Sequence, residues 1–249
     1  MSEQKSLLRE TDAQALNQAR TLMRGARYGT LAVFDPETGF PNASRVLLAT
    51  TPDGVPAILV SALSSHTKAL RADPRCSLLT GEPGKGDPLA HPRLSLQATA
   101  RPVPRGSALH QALRRRFLAR HPKAALYIDF GDFGFFTLDP ERAGLNGGFG
   151  KAYEIEGIDL RIQSPLVQAF AENEAEILDA ISTESKELAD EIARIAFRQT
   201  AKGWKICAID AGGIDLGMKD LLFRLEARLE DVSHARITSD IRKVACSIP

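Results

Sequence analysis

A turn rich in hydroxyl groups, SALSSHTK at residues 61–68, carries side chains suited to binding an anion. Free backbone amides and hydroxyls at the start of a helix bind anions, because the helix dipole also favours negative charge there. Lys68 would lie in the first helical turn, where a cation is unfavourable unless an anion is close. Arg45 lies in an apolar strand run, where a guanidinium needs a partner, and its fork matches phosphate geometry. We therefore expect Arg45 and this turn to hold one phosphate of a bound cofactor.

Each of these features also has a structural explanation. Arg45 could be an exposed strand residue or the partner of an acid, and Ser64 or Ser65 could be a helix N-cap. The glycines of NGGFGKA at 146–152 suit a tight hairpin, which is the preferred explanation, although they would also let a planar ligand approach. The arginines at 114–116 are expected to form a solvated helix face, with binding of an acidic partner as the alternative.

Other catalytic chemistry finds little support in the sequence. The five histidines show no metal-ligand spacing and no H-E-x-x-H, so most are expected at the surface; His66 is the exception because of its neighbours. There is no G-x-S-x-G elbow, and no G-x-G-x-x-G follows a strand and opens a helix. Motif spacing alone therefore nominates no catalytic acid, base or metal ligand.

Periodicity and turn signals predict the elements that would position these residues. Alternation over 42–51 places Arg45, Leu47 and Ala49 on one face of a strand. In the first 160 residues we predict helices over 11–27, 65–72 and 107–119, and strands over 28–34, 42–51, 57–60, 75–80, 93–103, 133–138 and 144–155, the last two linked by DPER. Many strands with short turns and few helices predict a small antiparallel barrel.

The composition changes near residue 165, which predicts a second, α+β domain. Residues 166–199 are helical and acidic, with a break at 182–185. A strand follows over 204–210, then a Gly-Gly turn at 212–213, a strand over 221–225 and a helix over 231–247.

The composition is typical of a globular protein that works in solution. Hydrophobic residues make up 43% and charged residues 25% of the 249 residues, and the formal net charge of +1 gives no bulk attraction to nucleic acid or anionic membranes. The three cysteines form no C-x-x-C, the N-terminus lacks an apolar signal core, and no apolar run approaches a bilayer span. We expect a cytoplasmic protein without nucleic-acid or membrane partners.

Three segments together resemble the FMN-binding split-barrel superfamily of pyridoxamine 5′-phosphate oxidase. They are RVLL at 45–48, SALSSHTK at 61–68 and DPRCSLL at 73–79. Within that superfamily the chain is most similar to the haem-utilisation branch, through DFGFF at 132–136 and GGFGKA at 147–152. The resemblance extends over nearly the whole chain.

The resemblance implies an α+β fold: an antiparallel split β-barrel over 1–160 and a smaller C-terminal α+β domain of the haem-utilisation type over 165–249. It also implies a homodimer, with the flavin at the subunit interface near the partner's 146–152 loop, and a small-molecule substrate. If DPRCSLL at 73–79 is aligned with the family without gaps, His66 rather than Lys68 falls at the position where the oxidase has the lysine that binds the phosphate. The cofactor-binding candidates are Arg45, Val46, Leu47, Ser61, Ser64, Ser65, His66, Thr67, Lys68, Arg93, Gly148 and Phe149.

The sequence also departs from the family. The oxidase's C-terminal motif of tryptophan and paired arginines is missing around Trp204, which argues against pyridoxamine phosphate as substrate. The H-M-N-x-x-H-like segment of the haem branch corresponds to AISTES at 180–185, which has no histidine. An FMN-dependent oxidoreductase is the first hypothesis. A haem-binding or haem-degrading protein, with His66 as the candidate iron ligand, and a cofactor-less dimeric interaction protein are the alternatives. Whether the chain is an enzyme stays open.

Overall fold

A computed structural model describes residues 8–148 and 151–248, so Phe149, a predicted cofactor contact, lies outside the described residues. The strands are β1 (Leu8–Arg9), β2 (Tyr28–Phe34), β3 (Pro41–Thr50), β4 (Pro56–Ser61), β5 (Arg75–Thr80), β6 (Arg93–Pro102), β7 (Phe133–Asn146), β8 (Ala152–Glu156), β9 (Lys205–Asp210), β10 (Gly213–Met218) and β11 (Leu221–Glu226). The α-helices are α1 (Ala13–Arg24), α2 (Ser65–Ala72), α3 (Ala108–Arg120), α4 (Gly157–Leu160), α5 (Val167–Glu184), α6 (Leu188–Phe197) and α7 (His234–Ser247).

Six antiparallel strands close into a barrel in the order β7-β4-β3-β2-β5-β6, with β6 pairing back onto β7. Strand β8 extends this sheet beside β7, and the short β1 pairs with β8 in parallel. The predicted fold class, an α+β split barrel with a C-terminal domain, is confirmed.

Alternation along the strands separates the barrel interior from its outer face. Val46 and Leu48 point into the main hydrophobic core, which α1 also joins through Ala15, Ala19 and Met23. Helix α3 covers part of the outer face, where its residues pack against the outward residues of β3, β4 and β7; this cluster includes Ala49, Leu59, Leu113, Phe117 and Phe135. The outer face is therefore covered beyond Leu47 and open around Arg45.

The barrel opens between β3 and β4. In the described residues their pairing runs only from Thr50 and Pro56 to Leu48 and Ile58. Beyond that point β3 continues to pair with β2, and β4 continues to pair with β7 as far as Ser61. Counting three residues along both strands beyond the last pair brings Arg45 and Ser61 to the same level, on the two sides of this opening, and alternation puts both side chains on the outer face.

The C-terminal residues form a three-stranded antiparallel sheet, β9-β10-β11, with a hydrophobic core shared with α5, α6 and α7. Strand β10 was not predicted from the sequence, which indicated only a turn at 212–213. This strand is the central one, and most of its residues are buried on both faces, so it lacks the alternation that marks a half-buried strand. The predicted domain boundary between 160 and 165 stays a prediction.

One continuous strand, β7, replaces the two strands predicted on either side of DPER. Pro140 pairs with Ala98 at a register shift in the β6–β7 ladder, where Arg142 pairs with Gln97. Proline is tolerated in a strand at such a bulge, because the ladder hydrogen bond is already interrupted. The predicted turn was therefore wrong: the hairpin that follows β7 begins after Asn146.

Arginines and acids form a buried network between the barrel and the C-terminal sheet. Arg116 Nε lies 2.8 Å from Glu174 Oε1, and Arg116 is 1% exposed. The expectation that residues 114–116 form a solvated helix face was wrong for Arg116, because its partners lie far away in sequence. The network comprises Arg24, Arg116, Arg120 and Arg224 with Glu174, Asp210, Asp215 and Glu226.

The described residues show neither a membrane-spanning helix nor a metal-binding cluster. No helix within 8–148 and 151–248 is long and apolar enough to cross a membrane. The same residues contain no group of three or more histidine, cysteine, aspartate or glutamate side chains placed to hold a metal ion.

Candidate functional site

The start of α2 leaves its backbone donors uncapped by the preceding side chain. Ser64 is the N-cap residue, but its hydroxyl accepts no hydrogen bond from a helix amide. Instead Ser64 Oγ donates to the Ser61 carbonyl at 2.8 Å and lies 2.7 Å from Thr67 Oγ1, so the Thr67 hydroxyl is the donor in that pair. The first amides of α2, those of Ser65 and His66, therefore remain suited to binding an anion.

Two cations near this turn lack acidic partners. Arg45 and Lys68 are exposed, and neither forms a salt bridge within the described part of the chain. Arg45 Cζ lies 5.4 Å from the centre of the Tyr28 ring, a cation–π contact. Arg45 is exposed, as in one of the structural explanations given for it above, because the side chains of β3 point alternately inward and outward. Its charge is therefore hydrated and available to a ligand.

Ser61 is already engaged in the hydrogen bonds that shape the turn. Its hydroxyl donates to Asp132 Oδ2 at 2.6 Å and accepts from the Leu63 amide at 3.1 Å. The Ala62 amide donates to the Asp132 carbonyl at 2.7 Å. Asp132 thus fixes the turn through two contacts, and the Ser61 hydroxyl would have to rotate away from it to donate to a phosphate. In the sequence, Asp132 stood out only as part of the DFGFF motif of the family resemblance.

His66 lies in the second position of α2 and is half-buried. Burial lowers the pKa of His66 below its ordinary value, because the charged imidazolium loses solvation. The ring is therefore neutral at neutral pH and keeps a nitrogen lone pair that can accept a hydrogen bond or bind a metal ion.

Tyr28 belongs to the same outer surface, although the sequence analysis did not nominate it. Burial, and then the charge of Glu82 and a hydrogen bond to it, raise the pKa of Tyr28 above its ordinary value. The alternation of β2 could have placed Tyr28 on the face shared with Arg45, since Tyr28 pairs with Leu47 and Thr30 with Arg45.

The remaining candidates differ in what they can offer to a ligand. Val46 points into the barrel core, so only its backbone could contact a ligand on the outer face. Leu47 points outward and packs at the edge of the cluster under α3. Thr67 is buried at the base of the turn, whereas Ser65 is exposed.

Arg93 and Gly148 lie elsewhere on the barrel. Arg93 is in β6, three strand spacings from Arg45 in β3, or about 14 Å across a flat sheet. Its Nη1 donates to the Leu89 carbonyl at 3.3 Å. Gly148 has a φ of +103°, and a Cβ there would lie 2.9 Å from the Ala90 carbonyl oxygen. The structure thus gives Gly148 a hairpin role, and within one chain it does not bring these two residues to the start of α2.

Comparisons with known proteins give the same fold. The family model described as pyridoxamine 5′-phosphate oxidase matches residues 15–146. A chloroplastic heme oxygenase of Arabidopsis thaliana, HOZ, is 36% identical over 127 residues, which make up 51% of this chain and 38% of that protein. The matched stretch is therefore well under half the length of the plant relative.

Two solved structures extend the similarity over most of the chain. Atu2129 of Agrobacterium tumefaciens, of unknown function, is 29% identical with a TM-score of 0.73, covering 94% of this chain and 96% of that one. A heme binding protein from Mycobacterium smegmatis is 25% identical with a TM-score of 0.54, and the match covers 94% of this chain and 97% of that one. Because the family model matches more than half of the residues, on the barrel that carries Arg45 and the α2 turn, this chain belongs to the pyridoxamine 5′-phosphate oxidase family.

Proposed function

We propose that this chain binds FMN on the outer face of the barrel and acts as an FMN-dependent oxidoreductase. The observation that carries the proposal is the uncapped start of α2, flanked by two cations without acidic partners. An anion there would accept from the first helix amides and be neutralised by Arg45 and Lys68. The membership of the pyridoxamine 5′-phosphate oxidase family supports this choice of anion, a flavin phosphate.

Each residue of the turn has a separate task in this proposal. Arg45 and Lys68 neutralise the phosphate, and the Ser65 hydroxyl and the α2 amides orient it. Thr67, buried and bonded to Ser64, holds the hydroxyls of the turn in place. Bound FMN would supply the hydride or electron transfer, while the protein orients it and tunes its electronics.

The proposal includes a homodimer with the flavin at the subunit interface. The outer face of β2 and β5 exposes large apolar side chains: Tyr28 is 37%, Phe34 is 50% and Leu79 is 44% exposed. Such a surface favours a covering partner. A partner subunit could also bring its own Arg93 and 146–152 loop close to the flavin. The small-molecule substrate and the cytoplasmic location expected from the sequence stay predictions.

A spectroscopic titration of the purified protein tests the proposal. Adding FMN should give saturable binding with a perturbed flavin spectrum. Arg45→Ala should weaken this binding at least about tenfold, because a charge-assisted hydrogen bond contributes about 1.5–3 kcal/mol. The matched control is Arg115→Ala, an exposed arginine on α3, which should bind FMN like the natural protein. If Arg45→Ala and Arg115→Ala bind FMN equally well, the phosphate assignment is wrong.

Haem binding is the second candidate function. It is favoured by the half-buried, neutral His66 and by the similarity to two proteins reported above, a heme oxygenase and a heme binding protein. In this proposal His66 would bind the iron and the cations nearby would pair with the haem carboxylates. The same titration with haemin should then give a sharp haem band that His66→Ala removes. Uptake of neither ligand would favour the cofactor-less interaction protein.

A further inference from the structure

A pocket of about 460 Å³ lies between the barrel and the C-terminal sheet. Leu47 of β3 contributes one wall, and the segment after α3 contributes another through Pro122, Ala124 and Tyr127. The hairpin between β10 and β11 contributes Lys219 and Asp220. The lining is mainly apolar, and the volume is in the range of small-ligand pockets.

The charged groups around this pocket are mostly basic. Arg27, Lys123 and Lys219 line it, together with one carboxylate, that of Asp220, which lies 3.4 Å from the Arg27 guanidinium. Lys123 and Lys219 are exposed, and neither has an ion pair within the described ranges. Two ammonium groups are therefore free to bind an acid at the edge of an apolar pocket.

His121 also lines the pocket but adds no positive charge. It is buried, its Nε2 donates to the Leu48 carbonyl at 2.9 Å, and burial lowers its pKa to about 4. At neutral pH its ring is therefore part of the apolar wall.

The backbone at Lys219 is strained. Its φ is +53°, a left-handed conformation that favours glycine. The strained position is held in place, because the Arg27 guanidinium donates to the carbonyl of the next residue, Asp220. Such strain persists where the surrounding structure imposes it, and it is frequent at ligand sites. Lys219 is the first residue of the two-residue turn that joins Met218 to Leu221, and such hairpin turns need a positive φ at that position. The turn and the Arg27 contact therefore fix Lys219 at the edge of the pocket.

We propose that this pocket binds a small organic acid with an apolar body. Lys123 and Lys219 hold its carboxylate, and its body lies against Leu47 and Tyr127. Leu47 is the one predicted flavin contact among the residues that line this pocket, and none of the lining residues belongs to the start of α2. The proposal therefore stands whether or not the chain binds FMN.

Calorimetric titration of the full chain with octanoate, and with 1-octanol as its uncharged counterpart, tests the proposal. Octanoate should bind saturably and more tightly than octanol. Lys219→Gly should weaken octanoate binding at least about tenfold and leave octanol binding unchanged, because one charge-assisted contact is lost. The same variant should unfold at an equal or higher temperature, since glycine adopts this φ without strain.

Further variants separate this site from the flavin site. Lys123→Gln should also weaken octanoate binding, whereas Lys85→Gln, an exposed lysine in the loop after β5, should not. Arg45→Ala should leave octanoate binding unchanged, whatever it does to FMN. The proposal is overturned if octanoate does not bind, if it binds no better than octanol, or if Lys219→Gly and Lys123→Gln both bind it like the natural protein.

Discussion

The arginines between the barrel and the C-terminal sheet and the cations at the start of α2 differ in what surrounds them. In the buried network, Arg224 Nη2 lies 2.6 Å from Asp210 Oδ1, and Arg120 Nη2 lies 2.6 Å from Asp215 Oδ2; all four side chains are at most 1% exposed. Lys68 in α2 and Arg45 on β3 are both exposed, and neither forms a salt bridge in the described structure.

The difference shows how the two groups of cations contribute. A buried guanidinium must be paired, because its desolvation is expensive, and its removal leaves a buried carboxylate without a partner. An exposed cation without a partner contributes little to folding and can change partners at little cost. We therefore expect substitutions in the network to change stability, and substitutions at the start of α2 to change ligand binding.

Removal of Arg116 should have the largest effect on stability. Arg116→Met leaves Glu174 buried without its partner and should lower the free energy of unfolding by about 3–5 kcal/mol. Arg115→Met, at the exposed neighbouring position, should change it by less than about 0.5 kcal/mol. Urea unfolding of both variants measures the difference. Equal stabilities would show that the network does not hold the two parts of the fold together.

His121 should make stability depend on pH. Its pKa is lowered to about 4, mainly by burial, so between about pH 6.5 and 4 the unfolded chain binds this proton and the folded chain does not. His121 therefore makes its full contribution to the free energy of unfolding above pH 6.5. As the pH falls to about 4, the free energy of unfolding decreases by up to roughly 3 kcal/mol because of this group. His121→Gln should reduce the loss between pH 7 and 4, measured by urea unfolding at each pH. His91→Gln, on a loop, is the control and should retain the loss.

Arg116 and His121 also show where prediction from the sequence fails. Arg115 and Arg116 are equivalent in a local pattern, but Arg116 meets Glu174, Asp210 and the Ile209 carbonyl. Those partners come from other elements, so no spacing within α3 could reveal them. His121 was likewise expected at the surface, since the sequence does not show that it packs under the end of β3.

Local signals were sufficient where the chain's own neighbours decide the structure. Helix α2 has the bounds that its hydroxyl-rich start and the following Asp-Pro predicted. Alternation also predicted correctly that Arg45, Leu47 and Ala49 share one face of β3. The hydrogen bond from Ser61 to Asp132 and the cation–π contact between Arg45 and Tyr28 could not be predicted in this way. Each joins two segments whose pairing is set by the whole barrel.

Substitution of Lys68 should have the smallest effect on stability. It should stabilise the chain, whereas substitution of Arg116 should destabilise it. It lies in the first turn of α2 without an acidic partner in the described residues, where a cation opposes the helix dipole. Lys68→Gln should therefore raise the free energy of unfolding by about 0.3 kcal/mol while it weakens FMN binding. Arg71→Gln, in the last turn of the same helix, should lower it by a similar amount and leave FMN binding unchanged, because there the dipole favours a cation. Urea unfolding with and without FMN measures both effects. If Lys68→Gln destabilises the chain, Lys68 has a structural partner, and its proposed role as a free cation for the phosphate is wrong.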